Sequence, residues 1–187
     1  MPATQHSFVE RPLPQTVALD TDFILTALVQ SELFHARCAS FTQVLVRERV
    51  RIVHSPLLLL EFLHAWQKAI NRNAVPASAV LQQRLWNDPV GLRVSLYALG
   101  EEYLNVYLAS FSRYEVRFSR ALQRETRESM ALHNLKPMDA CLVASAKRAG
   151  TDHIVSLDSD FRRVDGLHLW NDNIPGKRQA ARHRKRS

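Results

Sequence analysis

The chain has 187 residues, of which 46% are hydrophobic and 23% charged, a length and composition that suit one globular domain with a buried core. Its first stretch, Met1–Gln15, is polar and lacks the apolar run of a signal peptide, so we expect a cytoplasmic protein. The longest near-apolar stretch, Pro56–Trp66, is interrupted by Glu61 and His64 and is too short to cross a bilayer.

The net charge of +7 is concentrated at the C-terminus, where residues 176–187 carry six Lys or Arg side chains and no acid. The remaining residues, 1–175, carry a net charge of +1. We therefore divide the chain into a polar N-terminal segment (1–15), a folded domain (16–172) and a basic tail (173–187) whose composition predicts disorder. The tail either binds phosphates non-specifically or is a solvated terminus, and the residues concerned include Lys177, Arg178 and Arg182.

Short strand-like runs alternate with runs of helical period, which predicts an α/β fold with a mainly parallel sheet. The predicted strands cover residues 16–19, 50–54, 114–118, 153–157 and 167–170. Helices are predicted over residues 23–30, 33–47, 56–71, 76–86, 94–111, 119–133 and 138–149, with a turn or short helix at 159–164.

Four carboxylates lie at strand ends or inside apolar helical runs, where an unpaired acid is costly to bury. Asp20 and Asp158 directly follow predicted strands, and Asp139 opens a predicted helix. In a parallel sheet these positions face one edge, at the carboxyl ends of the strands. Glu61 lies in an apolar helical run that could direct it to the same edge. The pattern predicts one acidic site that binds a hard divalent cation.

Most of these acids also have a purely structural explanation. An acid near a helix start, as at Asp139, stabilises the helix by itself. Asp158 and Asp160 belong to a common type of turn, and Asp22 could cap the first helix. Glu61 has the weakest structural explanation, because its neighbours on both sides are apolar.

Four segments in order resemble the acidic motifs of the PIN domain family, over about residues 16–171. The resemblance lies in Val-Ala-Leu-Asp20-Thr21-Asp22, Pro56 to Phe62, Leu135-Lys-Pro-Met-Asp139-Ala and Ile154-Val-Ser-Leu-Asp158-Ser-Asp160-Phe. Asp22 departs from the Asn or Ser usual in the family, and the stretch 73–111 is longer than in compact members. Within the family, the chain is most similar to the toxin halves of bacterial VapBC toxin–antitoxin pairs.

The resemblance implies a PIN-like three-layer α/β/α fold, with a central, mainly parallel sheet of about five strands. It implies a metal-dependent ribonuclease that uses Mg²⁺ or Mn²⁺ and cleaves RNA. It also implies a homodimer and a small antitoxin partner.

The chemistry implies distinct roles for the acids. Asp20, Asp139 and Asp158 are the expected metal ligands, and Glu61 is expected to orient or deprotonate the attacking water. Asp160 is expected to share the role of Asp158. The remaining members of the site are expected to support the carboxylates, and they are Thr21, Asp22 and Ser156.

Three arginines recur along the helix predicted at 119–133 and are candidate RNA contacts: Arg120, Arg124 and Arg127. We favour a solvated face for them over an RNA contact, because Arg124 can pair with Glu128 four residues later.

Two other classes compete with the ribonuclease. Asp20-Thr21-Asp22 is similar to the nucleophile motif of haloacid-dehalogenase-like phosphatases, although that class does not explain Glu61 or Asp139. A non-catalytic PIN-like module that binds RNA or protein would not need the complete set of acids.

Overall fold

A computed structural model of the chain describes residues 1–72, 74–75, 83, 87 and 90–172, with the backbone alone at 92 and 93. The predicted helix at 76–86 falls almost wholly outside the described residues, and so does the basic tail with Lys177, Arg178 and Arg182. No helix in the described part of the chain is long and apolar enough to cross a membrane.

A single parallel sheet forms the centre of the molecule, with the strand order β1-β6-β5-β2-β3-β4. The strands are β1 (Thr4–His6), β2 (Thr16–Leu19), β3 (Arg51–His54), β4 (Arg113–Glu115), β5 (His153–Val155) and β6 (His168–Trp170). The predicted α/β class with a parallel sheet is confirmed, with six strands instead of about five.

The additional strand, β1, lies inside the stretch that we predicted as a polar segment ahead of the domain. It pairs with β6 at the edge of the sheet, with Thr4 opposite His168. Directly after it, the Ser7 hydroxyl donates to Asp172 Oδ1 at 2.7 Å, and Phe8 is buried against Phe41 with ring centroids 4.4 Å apart. An edge strand of polar residues lacks hydrophobic alternation, so only its partners reveal it.

Six helices are defined in the described ranges, and they cover both faces of the sheet. They are α1 (Thr21–Leu28), α2 (His35–Arg47), α3 (Leu58–Asn71), α4 (Gly91–Ala109), α5 (Arg120–His133) and α6 (Pro137–Arg148). A 3₁₀ helix, Ser159–Arg163, follows β5.

Alternating strand residues supply two separate cores. Val17 and Leu19 of β2 pack with buried residues of α1 to α4, whereas Ala18 between them packs with residues of α5 and α6. This alternation follows from the two-residue period of a strand and gives the three-layer α/β/α arrangement.

Local sequence signals position the helices that carry the acids. Asp20 is the N-cap of α1 and accepts a hydrogen bond from the Thr21 amide at 2.7 Å. Pro137 occupies the first turn of α6, where its missing N–H costs nothing. The chain order reverses between neighbouring strands β2 and β5, so the acids that follow these strands lie at a topological switch point.

Candidate active site

Asp20 lies where β2 passes into α1, and its side chain is only 6% exposed. Its Oδ1 accepts from the Thr21 amide, and its Oδ2 accepts from the Ser156 hydroxyl at 2.5 Å. Burial, followed by repulsion from Asp22, raises the pKa of Asp20 well above its ordinary value. A cation nearby would relieve this unfavourable charge.

Glu61 reaches the same region from the first turn of α3. Its Oε2 accepts a hydrogen bond from the Thr21 hydroxyl at 2.8 Å. Burial raises the pKa of Glu61, and the charge of Asp22 adds to the shift, while the bond from Thr21 opposes it. Thr21 therefore bonds to two acids of the site, to Asp20 through its amide and to Glu61 of α3 through its hydroxyl.

Asp139 lies in the first turn of α6 and is 8% exposed. Its Oδ2 is buried and has no hydrogen-bond partner among the described residues. Burial, followed by repulsion from Asp158, raises the pKa of Asp139 to about 6. The helix start accounts for the position of this acid, but it does not account for a buried carboxylate oxygen that bonds to nothing.

Asp158 and Asp160 flank the start of the 3₁₀ helix that follows β5. Asp158 Oδ1 accepts from the Asp160 amide at 2.9 Å, as in the predicted turn. The Lys136 ammonium lies 3.8 Å from Asp158 Oδ2 and 3.2 Å from Asp160 Oδ2, and Arg163 binds the other oxygen of Asp160. Partial burial favours a higher pKa for Asp160, but the bonds from Lys136 and Arg163 outweigh it and lower that pKa.

Ser156 and Asp22 connect the two strand ends. The fully buried Ser156 hydroxyl donates to Asp20 and accepts from the Asp158 amide at 2.9 Å. Asp22 Oδ1 accepts from the Leu157 amide at 3.2 Å. Asp22 therefore holds the loop after β5 against the start of α1, in addition to placing a negative charge beside Asp20.

The four acids that we predicted as catalytic line one cavity of about 770 Å³: Asp20, Glu61, Asp139 and Asp158. Asp139, Asp158 and Asp160 each offer a carboxylate oxygen within 4.8 Å of the others. Asp20 shares the cavity but does not belong to this tight group. The predicted convergence of acids from separate elements is thus present in the fold.

The donor set fits a hard divalent cation. All the converging ligand atoms are carboxylate oxygens, which Mg²⁺ and Mn²⁺ prefer. Asp139 Oδ2, which has no hydrogen-bond partner among the described residues, supplies a buried acceptor whose desolvation a bound cation would offset. The raised pKa values of Asp20 and Asp139 have the same main causes, namely burial and the negative charge of a neighbouring acid, and for Asp139 the attraction of Lys136 only partly opposes them.

Some charged residues of the cavity are not evident from the sequence. Lys136 precedes the helix that carries Asp139, and Lys68 and Arg72 lie on the helix that carries Glu61. Their spacing could have indicated the cations that follow Glu61, because Lys68 is seven residues after Glu61 and so lies on the same face of α3. His64 also lines the cavity, at its exposed side.

The three candidate arginines of α5 do not line the cavity among the described residues. Arg120, Arg124 and Arg127 are all exposed. Arg124 lies 3.9 Å from Glu128, in the pairing expected for a solvated helix face.

A second cavity, of about 850 Å³, lies between the N-terminal segment and α2. Its single described acid, Asp172, already accepts bonds from the Ser7 hydroxyl and the Phe8 amide. The described wall of this cavity lacks a group of converging acids, so the smaller cavity is the candidate active site.

Comparison with known proteins agrees with the fold. The chain is similar to the crystal structure of PAE2754 from Pyrobaculum aerophilum, with a TM-score of 0.50 and 16% sequence identity over 83% of this chain and 84% of that chain. No curated protein sequence gives a significant match. A model of the PIN domain matches residues 17–167, which is most of the chain. The protein therefore belongs to the PIN domain family, whose members are generally metal-dependent nucleases.

Proposed function

We propose that the protein is a metal-dependent endoribonuclease that hydrolyses RNA phosphodiester bonds. The observation that carries this proposal is the buried, unpartnered Oδ2 of Asp139 beside oxygens of Asp158 and Asp160. Membership of the PIN domain family favours this chemistry over that of a haloacid-dehalogenase-like phosphatase.

Asp139 and Asp158 would hold Mg²⁺ or Mn²⁺, with Asp20 contributing directly or through water. Asp20 Oδ1 accepts from the Thr21 amide and Oδ2 accepts from the Ser156 hydroxyl, and a carboxylate oxygen can accept or ligate through more than one lone pair. Asp160 forms ion pairs with Lys136 and Arg163, and its amide donates a hydrogen bond to Asp158 Oδ1. The bound cation would supply charge stabilisation for the transition state and increase the acidity of a water molecule.

Glu61 would act as the base. Its raised pKa brings it nearer the range in which a carboxylate accepts a proton efficiently. The water oxygen bonds to phosphorus while one water proton passes to the Glu61 carboxylate. The bond from phosphorus to the leaving ribose oxygen breaks, and that oxygen takes a proton from solvent.

The hydroxyls act by holding carboxylates in place. Thr21 fixes Oε2 of Glu61, which leaves Oε1 as the proton acceptor, and Ser156 fixes Oδ2 of Asp20. Asp22 holds the loop that carries Ser156. Such fixed positions reduce the reorganisation that the reaction requires.

The direct test is incubation of the purified full-length protein with a mixed RNA pool in EDTA, Mg²⁺ or Mn²⁺. We expect cleavage with metal, none in EDTA, and none by a folded Asp20→Asn variant. Metal-dependent cleavage by Asp20→Asn at the wild-type rate would overturn the assignment of the site. Hydrolysis of small phosphoesters without RNA cleavage would indicate a phosphatase, and metal-independent RNA binding without cleavage would indicate a binding module.

We further propose that the protein is the toxin of a type II toxin–antitoxin pair, acting in the cytoplasm as a homodimer inhibited by a small antitoxin. The resemblance of its four acidic motifs to VapC-type toxins supports this assignment. Val90, Val94 and Tyr97 form one apolar face at the start of α4 and are 75%, 66% and 40% exposed, as a partner surface requires. Growth arrest on expression, with a two-chain mass in light scattering, would be the expected result.

A further inference from the structure

One face of α3 carries a row of side chains along the wall of the acidic cavity. Glu61, His64, Lys68 and Arg72 are spaced by three, four and four residues and all line the cavity. At 3.6 residues per turn they lie within about 80° of one another around the helix axis. The row begins at the proposed base and runs about 16 Å along the helix, from negative to positive charge.

The two cations of this row differ in how they are paired. Arg72 Nη2 lies 2.8 Å from Glu32 Oε1, so a second acid of the cavity wall partly neutralises Arg72. Lys68 is exposed and makes no ion pair with a described residue. Lys136 differs again, because Asp158 and Asp160 hold it. Within the described cavity wall, Lys68 is therefore the lysine that remains available to an anionic ligand.

We propose that Lys68 binds a backbone phosphate of the substrate beside the cleaved bond and so positions the strand along α3, with Arg72 and Glu32 setting the charge at the far end. This inference rests on the proposed function for the identity of the strand. The inference goes beyond that function by giving the direction of the bound RNA strand, which runs from the acidic cluster along α3. A cation at this place also offsets the repulsion between a polyanion and the acids of the same cavity.

The test uses fluorescence anisotropy of a labelled 12-nucleotide oligouridylate, with the full-length protein carrying Asp20→Asn to prevent cleavage, in Mg²⁺ and over a range of KCl. Lys68→Gln should weaken binding about threefold to tenfold at low salt and reduce the slope of log K against log salt by about 0.7. Glu32→Gln should tighten binding, because it removes an acid that partly neutralises Arg72. The matched control is Lys147→Gln, an exposed lysine in the last turn of α6, and it should change neither quantity.

Equal affinities and slopes for Lys68→Gln and Lys147→Gln would overturn the inference. Cleavage kinetics of proteins that keep the native Asp20 separate the inference from the proposed function, since Lys68→Gln should raise KM with little change in kcat. If Lys68→Gln cleaves RNA with an unchanged KM and an unchanged salt slope, the role of Lys68 is rejected and the proposed ribonuclease activity still stands. If RNA binding depends on Lys68 but the wild-type protein cleaves no RNA, the proposed ribonuclease activity is rejected and the phosphate contact of Lys68 still stands.

Discussion

Among single residues, the main feature of the site is that it buries carboxyl groups. Asp20 and Asp139 are each more than nine-tenths buried, and both have pKa values above the ordinary range. Burial is the first cause in both, and neighbouring acids add to it. Structural acids in a fold normally find a basic partner or several donors. Here the fold keeps charge where it costs stability, which is typical of functional sites.

Asp139→Asn should stabilise the metal-free protein at high pH. The pKa of Asp139 is raised from 3.8 to about 6, so the penalty on the folded state is absent below about pH 4, grows between the two pKa values and is complete above about pH 6. Urea unfolding in EDTA should show the variant more stable than wild type by on the order of 2 kcal/mol at pH 8. At pH 4 the two curves should converge. A variant that is less stable than wild type at pH 8 would contradict this account.

Ser156→Ala should destabilise the protein, because it leaves Asp20 Oδ2 and the Asp158 amide without their partner. The expected loss is about 1–3 kcal/mol in urea unfolding. Ser145→Ala is a matched control, since Ser145 is equally buried but its hydroxyl has no described hydrogen-bond partner. Its removal should be neutral or stabilising. Equal losses in both variants would show that the hydrogen bonds of Ser156 contribute nothing.

At the scale of elements, close contacts determine how helices and edge strands attach to the sheet. In the sequence, Gly100 lowered the helical propensity of its segment, yet it lies inside α4 and is buried. A Cβ atom there would lie 2.8 Å from Trp66 Cδ1 and 3.1 Å from Leu63 Cδ2. The glycine therefore permits α4 to approach α3, which carries Glu61.

Gly100→Ala should destabilise the protein although alanine is the better helix former. The propensity gain is about 1 kcal/mol, whereas overpacking against a rigid, buried indole costs about 1–3 kcal/mol. Thermal unfolding should show a lower midpoint for Gly100→Ala and little change for Glu102→Ala on the exposed side of α4. A rise in the midpoint with Gly100→Ala would show that Trp66 moves aside at little cost.

Three histidines connect the edge strand β1 to its neighbours β6 and β5. His6 Nε2 lies 2.8 Å from His168 Nδ1, and the His168 ring stacks on His153 with centroids 4.6 Å apart. His153 Nδ1 accepts from Trp170 Nε1 at 3.1 Å, which requires that nitrogen to be unprotonated. The attachment of β6 to β5 through Trp170 and His153 therefore requires an unprotonated Nδ1 on His153.

Acidification should weaken this attachment. Burial is the main cause that lowers the pKa of His153; Asp152 opposes the shift, and His168 and His6 add to it. The stabilisation is therefore complete above about pH 6.5 and is lost as the pH falls through the folded-state pKa. Urea unfolding at pH 7.5 and 5.5 should show a smaller decrease in stability for His153→Asn, which retains an acceptor without titrating. Parallel decreases in both proteins would exclude His153 as the cause.

At the scale of the whole molecule, charge is distributed very unevenly. The acids converge at the switch point of the sheet, while six of the basic residues follow residue 175. Lys68, Arg72 and Lys136 are the Lys and Arg residues that line the acidic cavity in the described part of the chain. A polyanionic substrate would therefore meet local cations at the cavity and a separate basic segment at the end of the chain.

Deletion of residues 176–187 should weaken RNA binding and flatten its dependence on salt, because it lowers the net charge from +7 to +1. The measurement is the slope of log K against log salt for the labelled oligouridylate. Cleavage in saturating RNA should persist, since the four acids proposed as catalytic all lie outside the deleted segment. An unchanged slope would show that the tail makes no contact with RNA.

Local sequence patterns were sufficient to predict the order of strands β2 to β6 and the positions of the acids along them. The two-residue period of strands and the helical period of the intervening runs placed Asp20, Asp139 and Asp158 at one edge of a parallel sheet, because those periods are local. Single residues also marked helix starts, such as Pro137 in α6. The strand β1 escaped prediction because polar edge strands carry no such period.

Only the tertiary structure decided which charges are paired and which are not. Lys136 pairs with Asp160, and Arg72 pairs with Glu32, although the partners are far apart in the sequence. Asp139 Oδ2 has no hydrogen-bond partner among the described residues. Burial and ion pairing depend on atoms brought together from separate elements, so no local pattern encodes them. The acids of this site could be read from the sequence, but their desolvation, which makes them suited to a cation, arises from the packing around them.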